Sequence, residues 1–131
     1  MGRSGIVRYD GIPGNIRNDQ TTEAEWQASI VEMATALGWL TYHTHDSRRS
    51  DKGYPDLTCS HPLHGVVWFE CKRQAKPKIT REQRDWIRTL QQSGNLAAIV
   101  RPSDADWVES VLRGTERYEP IPHKFIVPED Q

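Results

Sequence analysis

The chain has 131 residues, which is enough for one domain with a single hydrophobic core. It is 36% hydrophobic and 27% charged, as in ordinary globular proteins, and no apolar run is long enough to span a membrane. The net charge of −1 does not by itself indicate a nucleic-acid partner. Because the first residues lack a secretory apolar core and the two cysteines fall in predicted strands, we expect a reduced, cytoplasmic protein, with a disulfide as the open alternative.

Residues 1–20 are rich in Gly, Asn, Asp and Arg and show no periodicity, which predicts a flexible N-terminal arm. Thr22 and Glu25 then form a capping-box pattern, and apolar residues recur at helical spacing from Trp26 onward. The sequence therefore predicts a first helix that ends at Gly38, followed by a strand over 39–43.

The segment from Asp56 to Lys72 predicts a β-hairpin that reverses near Leu63. This reversal places Asp56 opposite Glu70, with Cβ atoms about 5 Å apart. Lys72 follows Glu70 by two residues, so the period of two places it on the same face. The opposite face is apolar and consists of Leu57, Cys59, Val67 and Phe69.

Two carboxylates and an ammonium group on one face of a half-buried sheet indicate a site for a divalent cation. Two carboxylates bind a hard cation, and a neighbouring lysine stabilises developing negative charge. Glu70 also follows an apolar run, where an unpaired carboxylate is costly. We expect Mg²⁺ as the ion, with Mn²⁺ as a substitute, because oxygen ligands favour hard cations.

The second half of the chain alternates helix and strand patterns. Thr80 and Gln83 form another capping box, which predicts a second helix that ends at Gly94. Residues 96–100 are predicted to form a buried strand. Ser103 is predicted to cap a third helix, and a short edge strand is predicted around 124–127. The order of helix, three strands, helix, strand and helix predicts an α/β fold, with a mixed central sheet flanked by helices.

Basic residues flank the paired acids on both sides along the sequence. Such a rim around an acidic metal site suits a phosphate backbone, whereas the alternative is a solvated surface of mixed charge. The residues expected to contact DNA are His43, His45, Arg48, Arg49, Lys52, Arg73, Lys76 and Lys78.

Pro55-Asp56 followed by Glu70-Cys71-Lys72 resembles the signature of the PD-(D/E)xK nuclease superfamily, and the predicted element order resembles its restriction-endonuclease-like αβββαβ core. Further stretches resemble the small stand-alone VRR-NUC nucleases, many of which phages carry: 22–27, 42–49, 53–57, 80–83 and 100–103. The resemblance covers about residues 20–113. It implies a nuclease domain over 21–114 and a C-terminal extension over 115–131. The family name implies two arginines after the valine, but here Val100 is followed by Arg101 and Pro102; Arg101 is still expected to contact DNA.

The resemblance also implies roles for the residues of the hairpin. Asp56 and Glu70 would be metal ligands, joined by the backbone carbonyl of Cys71. Lys72 would orient the attacking water or stabilise the charge on the phosphate. Trp68, which alternates onto the acidic face, is a candidate for contact with substrate.

The resemblance further implies site residues on the two helices. Glu23 is the expected third acid, for metal binding and catalysis, with Glu25 as the alternative, although the capping box gives Glu25 a structural role. Gln83 is expected to act both in its capping box and in the catalytic site.

These assignments predict a divalent-metal-dependent DNA endonuclease that hydrolyses phosphodiester bonds. The resemblance implies branched DNA, such as flaps or four-way (Holliday) junctions, as the substrate, and a homodimer would suit a two-fold junction. A phage-encoded chain would act in the host cytoplasm. The alternatives are a non-catalytic nucleic-acid-binding module in phage replication or recombination, and a structural α/β domain whose polar residues pair internally.

Overall fold

A computed structural model describes residues 11, 19–45, 51–75, 78–115 and 120–129. The described chain has an α/β fold in which a four-stranded mixed sheet is flanked by helices, as the sequence predicts. The elements in chain order are α1 (Glu23–Ala36), β1 (Leu40–His43), β2 (Leu57–His61), β3 (Gly65–Cys71), α2 (Arg81–Gln92), β4 (Leu96–Val100) and α3 (Ala105–Leu112).

The sheet has the strand order β1-β2-β3-β4. Both β1 and β3 are antiparallel to β2, whereas β4 is parallel to β3 and is reached through α2. In the β2–β3 hairpin, Leu57 pairs with Phe69 and His61 pairs with Gly65. This register confirms the predicted reversal near Leu63.

Helices cover both faces of the sheet because residues alternate between the faces along each strand. On one face, Phe69 and Cys71 of β3 join the main core, which includes Trp26 of α1 and Val108 of α3. On the other face, α2 lies against β3 and β4. Glu70 therefore follows Phe69 and precedes Cys71 along β3, but its side chain lies on the opposite face of the sheet, toward α2.

Capping boxes fix the start of both helices that border the hairpin. The backbone N–H of Glu25 donates to Thr22 Oγ1, and that of Thr22 donates to Glu25 Oε1, at 3.0 and 2.8 Å. Thr80 and Gln83 make the equivalent pair at the start of α2, at 3.0 and 3.1 Å. The two starting points were predicted from the sequence and are confirmed.

Two local predictions in the C-terminal part are wrong. Ser103 does not cap α3, because it lies inside a 3₁₀ turn over Pro102–Asp104, and Asp104 instead accepts from the backbone N–H of Arg101 at 2.8 Å. No strand forms at 124–127 in the described part of the chain; a 3₁₀ turn over His123–Phe125 takes its place.

The residues beyond α3 are attached through a side chain rather than through a strand ladder. Gln91 Nε2 donates to the carbonyl oxygens of Ala97 and Phe125, both at 2.8 Å, and Gln91 Oε1 accepts from the backbone N–H of Val127 at 3.0 Å. One amide therefore holds residues 125–127 beside α2 and β4.

Most of the predicted 1–20 arm lies outside the described residues, as do residues 116–119 and 130–131 of the predicted extension. Among the described residues, no helix combines the length and apolar character needed to cross a membrane.

We expect Gln91→Ala to loosen residues 125–127 and to lower the free energy of unfolding by about 1–3 kcal/mol, because partly buried backbone groups lose their hydrogen bonds to this amide. Hydrogen exchange at the Val127 amide measures this loosening directly. Gln92→Ala is the matched control, since Gln92 makes only a long 3.4 Å contact with Glu129. Unchanged exchange at Val127 in Gln91→Ala would contradict this account of the attachment.

Candidate active site

The β2–β3 register brings Asp56 beside the end of β3. Asp56 directly precedes Leu57, which pairs with Phe69, so the same register places Asp56 opposite Glu70. Asp56 Oδ2 accepts a hydrogen bond from the backbone N–H of Cys71 at 2.8 Å. This bond fixes one carboxylate oxygen of Asp56 at the edge of the sheet where β2 begins and β3 ends.

Glu70 is almost completely enclosed, with 1% of the residue exposed. Its Oε2 accepts a hydrogen bond from Gln83 Nε2 at 3.0 Å and lies 3.6 Å from Lys72 Nζ. Its Oε1 is buried and has no hydrogen-bond partner among the described residues. One oxygen of Glu70 is therefore held in place while the other is left without a donor.

Lys72 is itself buried, with 7% of the residue exposed. Its positive charge lowers the pKa of Glu70, against the effect of burial. The sequence prediction that Asp56, Glu70 and Lys72 lie together on one side of the sheet agrees with these contacts. Burial strengthens the interaction of each charged group with its neighbours, because the local dielectric is lower than that of water.

Burial shifts the proton equilibria of the acids. It is the main cause that raises the pKa of Glu70 to about 8; the charge of Asp56 adds to the shift and Lys72 opposes it. Burial also raises the pKa of Asp56, against the opposing effects of the Cys71 N–H and the charge of Lys72. Without a bound cation, the pair therefore retains a proton near neutral pH.

Glu23 and Glu25 differ clearly in their surroundings. Glu25 is exposed and is occupied by its capping box. Glu23 is partly buried, and burial raises its pKa while the charge of Lys72 lowers it and that of Asp56 raises it. Glu23, rather than Glu25, therefore faces the paired acids.

A cleft of about 690 Å³ opens beside these acids. Residues of α1 form most of its wall. The lining residues are Glu23, Ala24, Gln27, Ala28, Val31, Glu32, His43 and Asp56. Among the members of the expected DNA-contact set that the structure describes, His43 alone lines the cleft, and its charge lowers the pKa of Asp56.

The other expected DNA contacts are more scattered. His45 lies next to His43, with ring centroids 5.6 Å apart. The exposed members are Lys52, Arg73 and Lys78. The charge of Arg73 lowers the pKa of Glu23. Arg48, Arg49 and Lys76 lie outside the described residues.

Arg101 lines a second groove, which shares none of its described lining residues with the cleft beside α1. The groove has a volume of about 280 Å³ and combines apolar side chains with basic ones. Its lining residues are Ile79, Arg84, Ile99, Arg101, Lys124, Phe125, Ile126, Val127 and Pro128. Ile99 pairs with Glu70 across β3 and β4, so the groove begins one strand away from the paired acids.

Both cysteines are free and buried. Burial raises the pKa of the Cys59 thiol to about 12 and that of the Cys71 thiol well above its usual value, so neither favours the reactive thiolate. His61 and His64 stack on each other, with centroids 4.3 Å apart, in the hairpin turn.

Trp68 is held by protein groups, although its strand position is on the acidic face. Its Nε1 donates to the Tyr54 hydroxyl at 3.0 Å. Sequence reasoning assigned no role to Tyr54 or to Thr44, whose hydroxyl donates to the Pro55 carbonyl at 2.7 Å. The short Gly53–Leu57 motif was the available signal, but the sequence does not show which elements its side chains contact.

Within the described residues, no group of three or more histidine, cysteine or acidic side chains lies close enough together to hold a metal ion. Asp56 and Glu70 thus form a pair, and Glu23 faces them without completing a three-side-chain cluster. Comparisons with models of known protein families, with curated proteins and with solved structures found no match to this chain.

We expect metal-free protein to lose stability as the pH rises from about 4.5 toward 8. The folded state holds a proton on Glu70 that the unfolded chain, with a pKa near 4.5, releases. The loss should amount to a few kcal/mol, since each pKa unit corresponds to about 1.4 kcal/mol. Urea unfolding at a series of pH values measures it.

Glu70→Gln should flatten this pH dependence, because glutamine stays neutral and can still accept from Gln83. Glu82→Gln makes the same charge change on the exposed surface of α2 and should keep the wild-type decline. A Glu70→Gln protein with an unchanged decline would show that another group carries the proton.

Proposed function

We propose that the protein is a divalent-metal-dependent DNA endonuclease. The observation that carries this proposal is the half-buried carboxylate of Asp56, which lines an open cleft, opposite the buried carboxylate of Glu70 with the Lys72 ammonium beside it. Stability alone does not favour such an arrangement, because enclosing a second acid raises the free energy of the folded state when both are ionised.

The residues present fit a hard divalent cation. Glu70 Oε1 is buried without a hydrogen-bond partner among the described residues, and Asp56 engages the Cys71 N–H through only one of its oxygens. Mg²⁺ and Mn²⁺ prefer such oxygen donors, and a cation would replace the proton that the pair otherwise retains. Asp56 and Glu70 would hold the ion, with the Cys71 carbonyl and Glu23 as the further ligands that the sequence predicts.

When bound, such an ion supplies Lewis acidity and lowers the pKa of a water molecule for attack on phosphorus. The chain's own residues supply orientation and charge. Gln83 holds Glu70 Oε2, and the Cys71 N–H holds Asp56 Oδ2, so both carboxylates are preorganised. Lys72 places a positive charge where negative charge develops on a scissile phosphate, which favours the transition state.

The distribution of charge makes entry of a phosphate backbone depend on neutralisation of the cleft. Glu23, Glu32 and Asp56 make the cleft acidic, which disfavours entry of a phosphate backbone before these charges are neutralised. Lys52, Arg73 and Lys78 are exposed and are the candidates for contact with the DNA backbone. We propose phosphodiester hydrolysis that leaves a 5′-phosphate, with branched DNA as the substrate to test first and a homodimer as the assembly to test with it.

Asp56→Ala should lower the cleavage rate by about 10²- to 10⁴-fold, the range typical of a group that acts in the transition state. The assay uses linear, flapped and four-way-junction DNA with Mg²⁺ or Mn²⁺. Glu23→Gln should also lower the rate, whereas Glu25→Gln should not, because glutamine preserves a capping box. Cleavage by Asp56→Ala at the wild-type rate would refute the nuclease assignment; equal effects of the two glutamate variants would refute the choice of Glu23.

A further inference from the structure

Gly53 lies directly against the first turn of α2. Its φ of 84° is in the left-handed region, and a Cβ placed on it would lie 2.6 Å from Glu82 Cβ and 2.7 Å from the backbone nitrogen of Gln83. Real Cβ atoms do not approach other atoms so closely. Both the backbone conformation and the close packing therefore require glycine here.

Tyr54, the next residue, connects three elements of the fold. Its hydroxyl accepts from Trp68 Nε1 of β3 at 3.0 Å and bonds with Thr58 Oγ1 of β2 at 3.2 Å. Its ring meets that of Trp86 of α2 edge-on, with centroids 4.9 Å apart. Tyr54 thus ties α2 to the hairpin that carries the acids.

The other side of this segment is held from the end of β1. Thr44 donates its hydroxyl hydrogen to the Pro55 carbonyl at 2.7 Å and its backbone N–H to the Asp56 carbonyl at 2.9 Å. Residues 53–56 are therefore fixed between the end of β1 and the start of α2.

Gln83 transmits the position of α2 to Glu70. Its Oε1 accepts from the Thr80 N–H at 3.0 Å, and its Nε2 donates to Glu70 Oε2, also at 3.0 Å. A shift of the first turn of α2 therefore displaces the donor that orients Glu70. Gly53 contacts that same turn at Glu82 and Gln83.

We propose that Gly53 and Tyr54 are positioning residues, which hold the first turn of α2 against the hairpin so that Gln83 stays on Glu70 while Asp56 stays on the Cys71 N–H. This inference rests on the proposed nuclease function for its catalytic consequence. Its structural part concerns only the Gln83–Glu70 hydrogen bond and can be measured without any substrate.

The chain offers a matched control for Gly53→Ala. Gly94 has nearly the same φ, 87°, but a Cβ placed on it would meet nothing within 4 Å. Both substitutions place a Cβ on a residue with nearly the same left-handed φ, and only the one at Gly53 pushes against α2. We expect Gly53→Ala to lower kcat by about 10- to 100-fold with little change in KM, as is typical of small misplacements, while Gly94→Ala stays within about twofold of wild type.

The NMR signals of the Gln83 side-chain amide test the structural part. Gly53→Ala should shift these signals and speed their exchange with solvent, whereas Gly94→Ala should not. Tyr54→Phe keeps the ring but removes the hydroxyl, and it should shift the Gln83 amide signals less but in the same direction. This variant tests the same positioning effect if Gly53→Ala fails to fold.

A double-mutant cycle separates positioning from general loss of stability. Combined with Gln83→Ala, Gly53→Ala should lower kcat little further, because the residue through which it acts is already removed. Additive effects, or Gln83 amide signals that match wild type in both Gly53→Ala and Tyr54→Phe, would overturn the inference. A wild-type protein that does not cleave DNA but shows the expected NMR changes would refute the nuclease proposal and leave the positioning of Gln83 standing.

Discussion

The enclosed carboxyl of Glu70 is the constraint around which the rest of the site is arranged. An ionised carboxylate inside a protein is costly unless partners surround it. Here Gln83 and Lys72 approach one oxygen, while Oε1 has no hydrogen-bond partner within the described structure. The arrangement is incomplete as a purely structural network, and a cation or a proton at Glu70 would complete it.

Strand β3 serves both stability and the site because its residues alternate between the faces of the sheet. Phe69 and Cys71 are buried in the core beside α1 and α3, whereas Glu70 points toward α2. Packing of Phe69 and Cys71 in the core therefore fixes the backbone on both sides of Glu70. A slip of one residue in the β2–β3 register would bury the acid in the core, so the hydrophobic pattern that stabilises the hairpin also specifies the site.

Local patterns in the sequence predicted much of this arrangement, because they report on the nearest neighbours along the chain. The capping boxes at Thr22 and Thr80 defined where helices begin, and the reversal near Leu63 defined the hairpin register. The 3₁₀ turn that displaced Ser103 as a cap depends on Pro102 and Asp104, and the attachment of residues 125–127 depends on Gln91. Contacts between distant segments, such as Gly53 with α2, leave no periodic signal.

Calorimetric titration of Mn²⁺ into metal-free protein near pH 7, in two buffers of different ionisation enthalpy, tests the central claim most directly. Because burial raises the pKa of Glu70 to about 8, binding at Asp56 and Glu70 should release a proton, so the observed heat should differ between the buffers. Asp56→Ala should abolish this saturable heat. No saturable binding to the wild-type protein, or the same binding to Asp56→Ala, would contradict the assignment of a cation site to this pair.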